Sequence, residues 1–276
     1  QQPGKDSLKV INIDISDNTI NEPFIKVDNL NAKFIINAFY LNSRNRNTVG
    51  LFTVKLDAVT LRQMGTSFNP FSTDNFNATY NYSTQYNNLI PKNVILKKSG
   101  GFLLVAEDFY SESLSSNNSW NRYDPFNPYN ATGNYYLYNP YYNSYRPYYQ
   151  TTTQGSRMRY YYNDIFMAEI DTALHIKWNN SIHKRQFDQD NDNHLSYAQF
   201  NAGRAIHFLY VENNENRSLI SDNLLTADGD IKKVPLIRNE EKNYEFMPKL
   251  GKQIGAGQII IPYLYFNKLG FALISW

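Results

Sequence analysis

RYYYNDIFMAEIDTALHIKWNNSIHKRQ at residues 159–186, continued by FDQDNDNHLSYAQFNAGRAIHFLYVEN at residues 187–213, decides the reading of this chain. It holds two strand-like runs rich in aromatic and β-branched residues, an Asp/Asn loop, and a third apolar run that opens a new repeat. Working outward, four apolar runs align without gaps: AKFIINAFYLN (32–42), GGFLLVAEDFY (100–110), GRAIHFLYVEN (203–213) and GQIIIPYLYFN (257–267). Three open with Gly and three end in Asn. Their middles are apolar on both alternating faces, as expected of strands covered on both sides. Ile35, Leu104, Ile206 and Ile260 are therefore expected to be buried.

A second element follows each of the first two runs, LFTVKLD at 51–57 and IFMAEID at 165–171. Beyond the shared Asp each continues into a further run, VTLRQM and ALHIKW. A third copy is degraded to LLTADGDIKKVPLI, and a fourth shrinks to GFALISW. Strand, variable connection, strand, turn, strand is thus repeated about four times, the sequence sign of a β-propeller. The expected fold is all-β, with about four blades in a single propeller-like domain over residues 1–276. A β-sandwich is the alternative. A transmembrane β-barrel fits less well, because its strands alternate apolar and polar and these runs do not. Four unequal blades are the low end for closure. Either residues 8–15 close the ring against residues 259–276, or sheet edges stay open to another chain.

Composition narrows the function. The net charge is +2, so no strong field recruits nucleic acid or anionic membrane. No Cys is present, which excludes disulfides and thiolate metal sites. No apolar run approaches the ~20 residues of a spanning helix. The chain begins at Gln1 rather than Met, which fits a mature product after signal-peptide removal, or a fragment.

Residues 113–160 differ in kind. Within 119–162 lie more than half of the 23 Tyr, with Pro, Asn and Arg between them. The Pro spacing prevents a regular helix or long strand, so this is a long insertion within a blade. Exposed Tyr gives large rigid contact area with a hydroxyl for hydrogen bonding. Trp120, Tyr123, Tyr135, Tyr136, Tyr141, Tyr142, Tyr145 and Tyr148 are the candidate binding residues, for protein or glycan. A loop folded over the chain's own surface is the plainer reading.

The loop Asp188–Gln–Asp190–Asn–Asp192–Asn–His–Leu–Ser196 resembles an EF-hand, with oxygen ligands at alternate positions converging on calcium. Asp188, Asp190, Asp192 and Ser196 are the candidate ligands. Against this, Asn193 replaces the Gly of position 6 and Gln199 the bidentate Glu of position 12. The flanks read as strands, so a solvated turn between blades is the competing reading. His175, His183, His194 and His207 form no metal motif. Glu107 and Asp108 point to opposite faces of a strand. Glu107, Glu169 and Glu212 could line a pocket rim, but a glycosidase needs two carboxylates at a set separation. No GxSxG or phosphate loop occurs.

GGFLLVAEDFY, YYYNDIFMAEID, IKW, IHKRQ, LSYAQF and IHFLYVEN occur in that order over residues 93–213. In this it resembles a family of exported β-propeller-like proteins of Bacteroidetes, to which no reaction is attached. Relatives carry further repeats upstream and a shorter turn before the LSY-type strand. The resemblance implies a propeller fold and an extracytoplasmic setting: periplasm, cell surface or secreted. Asp6–Ser7–Leu8 and Asp171–Thr172–Ala173 also match the short O-glycosylation pattern of that group. The expected function is a non-catalytic scaffold docking on a protein partner, in an outer-membrane or cell-surface complex such as a type IX secretion or nutrient-uptake assembly. A carbohydrate-binding or carbohydrate-cleaving propeller is the alternative.

Overall fold

Each of the four aligned runs becomes an interior strand, with neighbours on both edges. A computed structural model describes residues 9–41, 48–71, 88–114, 121–122, 157–214, 217–237 and 244–276. The first sheet contains β1 (Thr19–Ile20), β2 (Phe24–Asp28), β3 (Lys33–Leu41), β4 (Thr48–Asp57) and β5 (Gln63–Pro70). The second contains β6 (Leu89–Leu96), β7 (Phe102–Leu114), β8 (Asn121–Arg122), β9 (Arg157–Ile170), β10 (Ile176–Ile182) and β11 (Gln186–Gln189). The third is β12 (Tyr197–Ala202), β13 (Ala205–Asn214), β14 (Arg217–Leu225) and β15 (Ile231–Ile237). The fourth is β16 (Glu245–Phe246), β17 (Lys252–Gly255), β18 (Gln258–Tyr265) and β19 (Lys268–Ser275). No α-helix occurs among the described residues.

The fold is all-β, built of successive blade-type antiparallel meanders. β3, β7, β13 and β18 each take the second position. The sequence reading placed them first in the repeat. A preceding strand stands before each, namely β2, β6, β12 and β17. Residues 115–156 consequently lie between the second and third strands of their sheet, not the first two. The preceding strands are short and mix polar with apolar residues (FIKVD, KQIG), which hides them beside the all-apolar runs.

The hairpins into these second strands share one device. Ala32, Gly100, Gly203 and Gly257 have φ of 48°, 94°, 60° and 73°. The left-handed backbone reverses the chain, and Gly supplies it without a Cβ clash. The turns after β4 and β9 also match. Asp57 Oδ1 accepts the amides of Val59 and Thr60, and Asp171 Oδ1 accepts that of His175. Leu61 and Leu174 then turn left-handed at 59° and 71°.

The chain divides into two compact units, Gln1–Glu107 with Phe166–Asn180, and Asp108–Ile165 with Ser181–Trp276. In the first unit, Ile35, Phe39 and Leu51 on one face of the first sheet pack with Phe102, Leu104, Phe166 and Ile170. The opposite face carries Ala38, Tyr40, Phe52, Val54 and Leu56, covered by Ile11, Ile13 and Ile15. Both faces of β3 and β4 are thus covered, as their sequences require. Residues 9–15 form no strand. Instead three isoleucines at alternate positions, Ile11, Ile13 and Ile15, pack on β3 and β4. In the second unit, Phe200, Leu209, Val211 and Ile220 of the third sheet pack with Phe246, Ile259 and Ile261 of the fourth. Ile35 and Leu104 are buried as expected. Ile206 and Ile260 are only half-buried, since the buried centres fall on Phe208–Leu209 and on Ile259 and Ile261.

Candidate functional site

The Asp/Asn loop joins two strands, β11 and β12, as its flanks imply. Asp188 lies within β11 opposite Tyr160, and its Oδ1 accepts the Gln189 amide at 2.7 Å. Asp190 is left-handed (φ 65°), and its amide donates to Met158 O at 2.7 Å. Asp192 is held on both oxygens: Tyr162 Oη donates to Oδ2 at 2.6 Å, and Lys249 Nζ lies 2.6 Å from Oδ1. Ser196 is left-handed (φ 67°), its amide donating to Gln186 Oε1 at 2.9 Å. Among the described residues no three His, Asp or Glu side chains group as a cation site. An ammonium already neutralises Asp192, the third of the candidate carboxylates.

Behind the loop is a buried polar hub. Lys184, 5% exposed, donates from Nζ to Tyr162 O at 3.1 Å and Gln186 Oε1 at 2.9 Å. Gln186 Nε2 donates to Val211 O at 2.8 Å, so one side chain links β11, the loop and β13. A buried ammonium survives only with such acceptors around it. Beside it His183 Nδ1 meets Asp164 Oδ2 at 3.0 Å. The hydrogen bond to Asp164, aided by that carboxylate's charge and opposed by burial, holds the His183 pKa above its ordinary value. These contacts make the hub a brace that fixes the loop.

Each of the three glutamates has a lysine beside it. Glu169, 5% exposed, receives Lys97 Nζ at 2.5 Å, Lys177 Nζ at 2.9 Å and Trp178 Nε1 at 3.0 Å. Burial alone raises its pKa, but the two lysines override this and leave it below the ordinary value. A general acid needs the opposite shift. Glu107 is fully buried, with Lys92 Nζ 3.7 Å away. Glu212 pairs with Lys233 at 3.1 Å at the surface, in the other unit. Trp120, Tyr123, Tyr135, Tyr136, Tyr141, Tyr142, Tyr145 and Tyr148 lie outside the described residues.

Two features escape sequence reading. Buried Asp222 (1% exposed) accepts from Trp276 Nε1 at 3.2 Å and meets His207 Nδ1 at 2.9 Å, with Phe200 stacked on the imidazole at 4.7 Å. The β12–β13 register sets Phe200 opposite His207 and the β13–β14 register sets Leu209 opposite Asp222, while Trp276 arrives from the end of β19. The second is the fourth sheet's far face. β19 pairs β18 without a bulge, setting Leu269 opposite Leu264, Phe271 opposite Pro262 and Leu273 opposite Ile260. Leu269, Phe271 and Leu273 are 61%, 62% and 57% exposed. Three large apolar side chains in a row on one sheet face are unusual for a surface that stays in water.

No family model matches the chain, and no curated protein matches it. Solved structures similar to it include the endo-arabinase of Bacteroides thetaiotaomicron VPI-5482, 10% identical, with 92% of this chain and 93% of that chain covered and a TM-score of 0.22. Bacillus subtilis levansucrase is 10% identical over 94% of this chain and 84% of that one, with a TM-score of 0.26. An α-L-arabinofuranosidase from Clostridium thermocellum is 11% identical over 89% and 82%, with a TM-score of 0.19. At these scores no residue of those enzymes maps onto one of this chain, and no chemistry passes from them.

Proposed function

We propose that this chain is a non-catalytic exported scaffold that binds a protein partner, in an outer-membrane or cell-surface assembly of the kind its Bacteroidetes resemblance suggests. One observation carries the reading: the exposed apolar row of Leu269, Phe271 and Leu273 on β19, beside the half-buried Ile260 and Leu264 of β18. The lysine-compensated glutamates support the non-catalytic part. The Tyr-rich residues 119–157 are a second contact surface in this reading, and the Asp188–Ser196 loop has a bracing role. The test is capture from an outer-membrane extract by the wild type and by a Leu269→Ser/Phe271→Ser/Leu273→Ser variant. Loss of the captured protein at unchanged melting temperature is the expected result. Equal capture by both would overturn the assignment of this face.

A glycan-binding reading draws on a different observation. Tyr110 and Tyr161 stack at 4.4 Å, and Phe187, 61% exposed, lies 6.1 Å further on across adjacent strands. Glycan-array binding abolished by Phe187→Ala, with or without turnover, would favour it over the scaffold.

A further inference from the structure

Among the described residues the outer edge of β19 is as open as its face. Trp276 N donates to Gly257 O at 2.9 Å, so the backbone of Trp276 points toward β18. Backbone direction alternates along a strand, and the β18–β19 register runs unbroken from Ser275 to Lys268. Residues 274, 272, 270 and 268 therefore also point inward. Leu269, Phe271, Leu273 and Ser275 direct both N–H and C=O outward, where no strand pairs with them among the described residues.

Two other outer strands, β15 and β17, carry devices that block strand addition. β15 has exposed Lys232 and Lys233, then Pro235, and a register shift against β14. β17 is four residues long, with Lys252 and a shift of its own. β19 is eight residues long and regular, with no Pro and one charge, Lys268, at its start.

We propose that a second copy of this chain adds to this edge, β19 against β19, antiparallel about a two-fold axis through Ala272. This goes beyond the scaffold reading, which concerns the sheet's face. The register is self-complementary. It sets Phe271 opposite Leu273 and Leu269 opposite Ser275 of the second copy, each an outward residue meeting an outward residue. All four outward residues exchange hydrogen bonds. Lys268 falls opposite Trp276 and never opposite another lysine, so no charge opposes the pairing. An eight-residue edge buries less than the roughly 1,200 Å² of a standard interface, so association is weak, on the order of 10–100 µM.

Sedimentation equilibrium of the purified chain tests this. The wild type is expected to pass from monomer to dimer across that concentration range. Leu273→Pro removes one outward N–H, touches no bond to β18, and should weaken the dimer about tenfold or more at unchanged circular dichroism. Should that variant fail to fold, a charge pair decides. Phe271→Lys and Leu273→Glu should each dissociate the dimer, and their equimolar mixture should associate more tightly than either alone. A wild type that stays monomeric at several times the upper concentration overturns the proposal, as does a dimer indifferent to these variants. Either result leaves capture of a different protein by the sheet face untouched.

Discussion

The first and fourth sheets begin from the same kind of apolar run and end in opposite states. In the first, Phe39 is fully buried and meets Phe71 at 6.2 Å and Phe166 at 6.1 Å. Three isoleucines cover its other face. In the fourth, close packing stops at one face: Ile259 and Ile261 are fully buried, while Phe271 across the pleat is 62% exposed. Apolar character alone does not set burial; what lies above the residue does.

The largest expected effect separates these two phenylalanines. Phe39→Ala should lose about 3–5 kcal/mol, since it removes a ring from a close-packed core. Phe271→Ala should stay within about 0.5 kcal/mol for the isolated chain. Urea midpoints measure both, and a comparable loss for Phe271 would mean that its face is covered.

Two glycines sharpen the comparison at the next level. A Cβ on Gly50 would collide with Asn69 O and the Tyr40 ring, and one on Gly270 with the Tyr263 ring alone. A backbone carbonyl held in a sheet cannot swing aside, whereas a partly exposed tyrosine can. Gly50→Ala should therefore destabilise by about 1–3 kcal/mol, and Gly270→Ala by clearly less.

Charge provides a third contrast. Glu169 has a lowered pKa, so its stabilisation is present above the unfolded value and lost as pH falls through the folded one. Wild type should lose more stability than Glu169→Gln between about pH 6 and 3. His183 works the other way: its raised pKa gives stabilisation present below about 6.5 and lost as pH rises through the folded value. Asp164→Asn should flatten that dependence, read as melting temperature against pH.

The smallest effect concerns Ala32, the one non-glycine among the four left-handed hairpin residues. Ala32→Gly should stabilise the first sheet by up to about 1 kcal/mol, because the Cβ clash outweighs the added unfolded-state freedom. A destabilised variant would contradict the shared-turn interpretation.

Much of this architecture is legible in the residues. The Gly-bounded runs mark the interior strands, because only a turn residue and a doubly covered strand produce that pattern. The matched Asp57 and Asp171 turns are legible for the same reason. The site is less so. Asp192 owes its partners to Tyr162 and Lys249, each far along the chain, and no spacing rule links them. The Asp/Asn periodicity of the loop satisfies a ligand pattern and a turn pattern equally well. GFALISW has a core-like composition, yet Phe271 and Leu273 are exposed, because exposure depends on what packs above a residue, which composition cannot encode.

Lys184 gives the buried hub a practical consequence. The residue is 5% exposed and its Nζ donates to Tyr162 O and Gln186 Oε1, whereas Lys232, Lys233, Lys252 and Lys268 are open to solvent. An acylating reagent should modify those four at once and reach Lys184 only when the loop brace opens. Mass spectrometry of Lys184 acylation over time would then act as a clock for local unfolding of the second unit, with the surface lysines of the same molecule as its calibration.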